Sequence, residues 1–475
     1  MAKEIRLNAF VMNCMGHQSP GLWTHPRDLT RNYRDLDYWT TLARTLERGK
    51  FDAVFFADVQ GIYDVFTGGP GPALRHGVQV PNADPFVLIS AMAFVTEHLG
   101  FAVTGNLSSE TPYLFARRLT TLDHLTKGRI GWNIVTGFLK SAAKGMGAAT
   151  PRKHDVRYDI ADEYMEVMYK LWEGSWADEA VVADRATGLL IDPARVRPIE
   201  HDGEYFRLNA IHLSEPSPQR TPVLFQAGTS TRGRAFAAKH AEGIFIAAPT
   251  KEEVAEWVAD IRRQTAEAGR DPKEILVFSE ISAIVGKTEA EARQKHRDYL
   301  RYVNHEAALA LVSGWIGVDL SRFAPDDYVE AALHDTGGHS HLLSITSTDP
   351  ARKWTVREVA EYIAIGGIAP VVVGSPEQIV DELESWMREA DVDGFNLAYA
   401  VYPEGYTDFV ELVVPEMQRR GIYKADYRPG TLREKLYGTG RSRLPDVHPV
   451  AEYRFKPIVE PAVPEEGRHR AHAGA

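Results

Sequence analysis

Short apolar runs alternate with longer amphipathic stretches along most of this chain, and that alternation narrows the fold more than any other feature. The runs at 5–12, 53–57, 101–104, 130–135, 223–226, 244–247, 275–285 and 394–397 are apolar nearly throughout. A strand with one wet face alternates polar and apolar residues. A strand covered on both faces does not, so these runs predict a buried parallel sheet. Between them, 38–48, 112–125, 157–172, 231–240, 251–268, 288–302 and 377–390 read as helices. Leu42 and Leu46 sit four apart on one face, and Gly49 follows as a stop. Asp84 is placed to cap a helix that opens at Pro85. Eight strands with interleaved helices predict an α/β fold, a (β/α)8 TIM barrel with several long insertions; a doubly wound sheet is the rival.

A barrel of about 250 residues leaves much of a 475-residue chain over. The surplus falls at about 60–83, 137–154, 173–221 and 303–369, and loops of that length usually bind or cover something. The reading is one domain over 1–460, with a polar, flexible tail at 461–475. The segment 334–350 (HDTGGHSHLLSITSTDP) reads as a flap. Lys+Arg is 54 and Asp+Glu is 65, so the net charge is −11. An acidic chain gives no electrostatic case for nucleic acid or an anionic membrane. No run of apolar residues is long enough to span a bilayer, and the first residues do not read as a signal peptide. The single cysteine, Cys14, excludes an internal disulfide and fits the cytoplasm.

In a barrel the working groups sit where strands end. The first run ends in Asn13, Cys14 and His17; the second in Asp58, with Tyr63 beyond; the third in Thr104; the fourth in Asn133 and Thr136. The fifth runs into Ala227, Gly228, Thr229 and Ser230, a glycine followed by hydroxyls at a helix start, which suits a phosphate. His154 and Tyr158 are four apart and can both donate to the same anion. Each motif also has a plain structural reading, as an N-cap, a capped helix start or a small residue in a wall. Cys14 and His17 lack the orienting group and oxyanion hole that a nucleophile needs. The histidines show no ligand spacing on a clear helix or strand, His339 and His341 lying in a Gly/Ser-rich stretch, so no metal centre is predicted. There is no Walker loop, and no GxGxxG follows a strand.

The stretches LNAFVMNCMGH (7–17), GLWTHP (21–26), LARTLERGKFDAVFFADVQGIYDV (42–65) and FARRLTTLDHLTKGRIGWNIVTG (115–137) carry a family likeness. So do HDVRYDIADEYMEVMYKLWEGSW (154–176), EPSPQRTPVLFQAGTSTRGRAFAAKHAE (215–242) and DGFNLAYAVYPEGYTDFVELVVPEMQRRG (393–421). In this order they make the chain resemble the bacterial luciferase-like, FMN-dependent monooxygenases. The branch is that of the nitrilotriacetate, dibenzothiophene-sulfone, long-chain alkane and dimethyl-sulfide monooxygenases. The resemblance implies a (β/α)8 barrel that uses reduced FMN and O2 and activates oxygen as a flavin C4a-hydroperoxide. It implies a separate NAD(P)H:flavin reductase as partner, and a homodimer or homotetramer. Carried over by position, Asp58, Thr104, Asn133 and Thr136 line the flavin ring. His154, Tyr158, Ala227, Gly228, Thr229 and Ser230 hold the ribityl phosphate. Cys14, His17, Tyr63 and Gln79 surround the reacting edge.

The chain also departs from the family. Relatives commonly have serine where this chain has Gly137. The alkane-type enzyme has histidines at the positions of Phe138 and Leu311, both apolar here. If Phe138 and Leu311 line the substrate pocket, the substrate is uncharged there, because an apolar wall cannot satisfy a carboxylate. The function expected is therefore a two-component FMNH2-dependent monooxygenase acting on a sulfide, a hydrocarbon, or a halogenated or aromatic compound. The alternatives are a flavin- or ligand-binding barrel without turnover and a metal-dependent barrel hydrolase.

Overall fold

The structure, a computed structural model, describes residues 3–228, 230–329, 346 and 352–456. In chain order the strands begin with β1 Arg6–Met12, β2 Ala53–Ala57, β3 Gly100–Asn106 and β4 Ile130–Val135. Two hairpins follow: β5 Val181–Asp184 with β6 Leu189–Ile191, and β7 Ile199–Asp202 with β8 Arg207–Ala210. The series ends with β9 Val223–Gln226, β10 Gly243–Ile246, β11 Leu276–Val285, β12 Val371–Gly374 and β13 Gly394–Ala398. Neighbours run β10–β9–β4–β3–β2–β1–β13–β11, and β10 pairs with β11. All eight pairings are parallel, so the sheet closes into a barrel.

The apolar runs lack alternation because both strand faces are covered. Phe10, Phe55, Phe225 and Phe278 point inward and fill the centre with Phe245; Phe10 and Phe245 lie 4.8 Å apart, and Phe55 and Phe225 5.6 Å. Their outward neighbours, such as Val54, Phe56 and Val103, pack under the helices. The helix Leu36–Arg48 buries Trp39, Leu42, Ala43 and Leu46, a stripe at helical spacing. Proline at the first turn starts the helices Pro112–Leu125 and Pro376–Glu389, and Ser375 with Gln378 closes a capping box on the second. The short helix Leu432–Tyr437 plugs the N-terminal end of the barrel, where Leu432 and Leu436 join the interior aromatics.

The structure differs from the sequence reading in four places. The insertion at 173–221 is not a plain loop but holds both hairpins. Their β5 and β6 residues, including Val182 and Leu190, are exposed, so burial imposes little pattern on them. Strand β12 extends the sheet beside the upper half of β11, with Ser282–Val285 opposite Val371–Gly374. The helix expected from 157 begins at His154. The insertion at 303–369 contributes the helices His305–Ile316 and Val356–Ile363. Most of the 334–350 stretch, the 461–475 tail and Thr229 lie outside the described residues.

Candidate functional site

The C-terminal ends of β1 to β4, β9 and β10 enclose a cavity of about 310 Å3. The aromatics of the barrel centre, Phe10, Phe55 and Phe245, form part of its wall. Asp58, Thr104, Asn133 and Thr136, each carried at a strand end, supply polar groups. The Thr104 hydroxyl donates to the Phe56 carbonyl at 2.7 Å and accepts from Asn133 Nδ2 at 2.8 Å. Asn133 Oδ1 is left buried without a partner, as is Gln226 Oε1 on the adjoining strand. Asp58 accepts from Asn82 Nδ2 at 3.0 Å; burial pushes its carboxyl up to about 6, and the Asp84 charge adds to the rise.

A second group gathers at the start of the helix Thr231–His240. Ser230 Oγ accepts from Gly233 N–H at 3.1 Å as the N-cap and lies 3.2 Å from His154 Nε2. Tyr158 stacks obliquely on His154, with ring centroids 5.2 Å apart. Burial raises the proton affinity of its hydroxyl. Gly228 and Gly233 keep this cradle open. A Cβ at Gly228 would meet Gln226 Nε2 at 2.3 Å and the Tyr158 hydroxyl at 2.9 Å, and one at Gly233 would meet that hydroxyl at 2.7 Å. Ala227, Tyr158 and the neighbouring Arg157 lie on the wall of the same cavity.

A third group lies on the far side of Phe10. Trp315 Nε1 donates to the Tyr63 hydroxyl at 3.2 Å, Tyr63 donates to Gln79 Oε1 at 3.0 Å, and Gln79 Nε2 donates to the His17 carbonyl at 3.0 Å. Gln79 holds a left-handed backbone, φ +51°, which is uncommon for a residue with a side chain. The His17 ring packs edge-on against Phe10 at 4.6 Å. Both its nitrogens are buried without partners, and burial pushes its pKa down to about 3, so the imidazole is neutral. Burial drives the Cys14 proton affinity far up, and the residue is a thiol rather than a thiolate.

Cys14, His17, Tyr63 and Gln79 thus form one cluster, separated from the cavity by Phe10. Phe138 lines the cavity and is 49% exposed. Leu311 is fully buried among Tyr63, Phe66, Leu139 and other members of a separate core under the insertion, and it is not on the cavity wall. Gln226, which the fifth run carries to the rim, lines the cavity too, whereas sequence reasoning missed Arg157 and Asn106. Asn106, the last residue of β3, is where the strand-end rule points, and Gln226 ends β9 just before the glycine-hydroxyl group; Arg157 lies within the helix His154–Tyr169, and its place beside Tyr158 was the signal. Among the described residues no three His, Cys, Asp or Glu side chains are grouped to hold a metal ion, and no helix is long and apolar enough to cross a membrane.

The family model for luciferase-like monooxygenases matches residues 9–394. The dimethyl-sulfide monooxygenase of Hyphomicrobium sulfonivorans is 51% identical over 454 residues, covering 96% of this chain and 94% of that protein. The long-chain alkane monooxygenase of Geobacillus thermodenitrificans strain NG80-2 is 48% identical over 456 residues, covering 96% and 99%. Among solved structures, a riboflavin lyase with modified FMN and substrate riboflavin superposes with a TM-score of 0.87 at 37% identity, covering 96% of this chain and 100% of that one.

Proposed function

The chain belongs to the luciferase-like monooxygenase family, and from that premise we propose that it is the oxygenase of a two-component system. It takes reduced FMN from a separate NAD(P)H:flavin reductase and places one atom of O2 in a small, mostly apolar organic molecule. The observation that carries the cofactor assignment is a row of unfilled polar groups. Asn133 Oδ1 and Gln226 Oε1 are buried acceptors without partners, and the open glycine cradle with its Tyr158, Ser230 and His154 groups lies next to them. A flat ring with an N–H edge, tethered to a phosphate, satisfies both at once. In this reading Asp58, Thr104, Asn133 and Thr136 hold the ring. His154, Tyr158, Ala227, Gly228, Thr229 and Ser230 hold the phosphate.

FMNH2, when bound, supplies the two electrons that reduce O2, one atom going to the substrate and the other to water. The chain's own residues bind, orient and keep the site dry. Phe10, Phe55, Phe245 and Leu139 give the cavity apolar walls, and water excluded there cannot divert the reaction. His17 is neutral at working pH, so its ring can donate at one nitrogen and accept at the other. Tyr63 and Gln79 hold the backbone of His17 in place, and Cys14 fills a wall. Phe138 gives the substrate side an apolar face, which favours a sulfide, a hydrocarbon, or a halogenated or aromatic compound over a polycarboxylate. The reading carries with it a cytoplasmic homodimer or homotetramer.

The test is a substrate panel with FMN, NADH, an unrelated flavin reductase and isotopically labelled O2, read by mass spectrometry. One labelled oxygen atom in a product supports the reading, and its absence across sulfides, alkanes and aromatics removes the substrate class. Without the reductase the chain should not oxidise NADH, and sustained oxidation by the chain alone would overturn the two-component assignment.

A further inference from the structure

We propose that Glu280, buried inside the barrel on β11, is the proton donor to oxygen as the flavin reduces it. This rests on the flavin reading above. Leu276 and Phe278, earlier on the same strand face, belong to the barrel centre, so Glu280 points inward as well. Phe278 lies opposite Phe245 in register, and Phe245 walls the cavity; Glu280 is the next inward residue of β11 toward the mouth. The register also sets Glu280 beside Asn396, and Asn396 beside Asn8. Asn8 Nδ2 donates to Asn396 Oδ1 at 2.9 Å, yet Asn8 Oδ1, Asn396 Nδ2 and Glu280 Oε1 are buried without partners. Ser282, one step nearer the mouth, keeps a buried hydroxyl in the same condition. A centre otherwise filled by phenylalanines thus carries one polar row.

A glutamate only 2% exposed is normally paired with a cation or bonded by several donors. Here burial alone acts on the carboxyl, raising its proton affinity well above the carboxylate range, so it is held as the acid. The titratable groups near it on other elements are Tyr362 of the helix Val356–Ile363 and Tyr406 of the helix Glu404–Asp408, with Glu253 beside Tyr362. None is a cation. The Tyr362 hydroxyl donates to the Ile368 carbonyl at 3.2 Å, and that of Tyr406 to the Phe10 carbonyl at 2.9 Å. An unpaired acid kept in such a place costs stability, which a position with only a packing role has no reason to bear. The proton balance supplies a reason. Reduced FMN that has lost its acidic ring proton brings two electrons and one hydrogen, whereas the oxygen atom that leaves as water needs two hydrogens. The Glu280 O–H bond breaks, its proton goes to that oxygen, and the carboxylate regains a proton from solvent before the next turnover. No electron passes through Glu280.

Glu280→Gln keeps the shape and removes the proton. Infrared difference spectra of the flavin-free parent against this variant at neutral pH should show the carbonyl band of one carboxylic acid, and a missing band overturns the proposal. The second test is stopped-flow reoxidation by O2 of photoreduced FMN bound to excess protein. Without a substrate the product is hydrogen peroxide, which needs the same extra proton. Glu280→Gln should slow reoxidation by about tenfold or more and abolish the fall in rate that the parent shows at alkaline pH. FMN affinity should stay within about twofold, and Glu280→Asp should restore part of the rate. A parental rate and pH profile in Glu280→Gln overturn the proposal, and so does an equal loss of FMN binding. Glu280→Met should raise the urea midpoint above that of the parent; a lower midpoint assigns Glu280 to packing and overturns the proposal as well. These results leave FMN binding by the parent intact, and with it the flavin reading. Failure of the parent to bind reduced FMN removes both.

Discussion

The two ends of this barrel differ in how far they satisfy their buried polar groups. At the N-terminal end Arg433 is 1% exposed, and its donors are taken up. It bonds Glu242 at 2.7 and 3.0 Å and the carbonyls of Thr221, Pro222 and Ser442 at 2.8 to 3.0 Å. Glu242 also accepts from the Leu224 N–H at 3.0 Å, and Asp123 accepts from Gln219 twice, at 2.9 and 2.7 Å. At the C-terminal mouth, His17, Asn13, Gln18, Asn133 and Gln226 all keep buried atoms without partners. A folded chain rarely leaves such atoms unmet. The contrast is one of degree, since Arg270 Nε, Glu274 Oε2 and Arg454 Nε also lack partners near Arg433; the concentration of unmet groups at the mouth fits the division of labour usual for barrels.

Breaking the closed end should have the largest effect. Arg433→Met leaves Glu242 buried without its cation and should cost about 3–5 kcal/mol, read as a drop in the urea midpoint. Adding Glu242→Gln should recover part of the loss. A single variant as stable as the parent would show that the closed end does not depend on this pair.

Next come two substitutions to the same residue in different settings. Leu311→His puts an imidazole into an apolar core and should cost about 2–4 kcal/mol. Phe138→His, half-exposed on the cavity wall, should change stability by under about 0.5 kcal/mol yet shift substrate preference. Equal destabilisation of the two would erase the distinction between insertion core and cavity wall.

Ser230→Ala should weaken FMN by about 1–3 kcal/mol, as expected for a lost hydrogen bond to a charged group, and leave riboflavin binding unchanged. It also removes a helix cap, worth about 1 kcal/mol of stability. Equal weakening of FMN and riboflavin would dissociate Ser230 from the phosphate.

The last effect is a slope rather than a step. His17 has its folded pKa lowered to about 3, so between the ordinary histidine range and pH 3 the unfolded chain binds a proton that the folded chain refuses. Stability therefore falls as pH falls through that window, by up to about 1.4 kcal/mol per pH unit from this residue. His17→Gln should flatten the acid limb of a stability–pH curve relative to the parent. An unchanged limb would mean that His17 charges in the folded state.

Much of this was legible beforehand, for a physical reason. Barrel strands are covered on both faces, so they appear as unbroken apolar runs, and the residue that ends each run marks the rim. Asp58, Thr104, Asn133 and Thr136 were found that way and line one cavity. Strand β12 was missed because Val371–Val373 is a short run, half-covered and next to a long insertion. The exposed hairpin β5–β6 left no burial pattern to read. Phe10, Phe55 and Phe245 looked like core, which they are, but the same rings also wall the cavity. The bond from Trp315 to Tyr63 joins residues 252 positions apart, and no local pattern encodes it.

Strand β12 has a further consequence. It returns the chain to the sheet beside β11, while at the other end of the insertion Asn304 packs on Gly21 and its side chain meets His76 at 3.2 Å. The excursion between them is pinned at both feet to the rigid frame, like an arch on two piers. The entropy of closing such a span rises only slowly with its length, about 0.6 kcal/mol for each doubling. Loop length between the piers can therefore drift at little entropic cost, while the packed helices of the insertion, with Leu311 in their core, cannot.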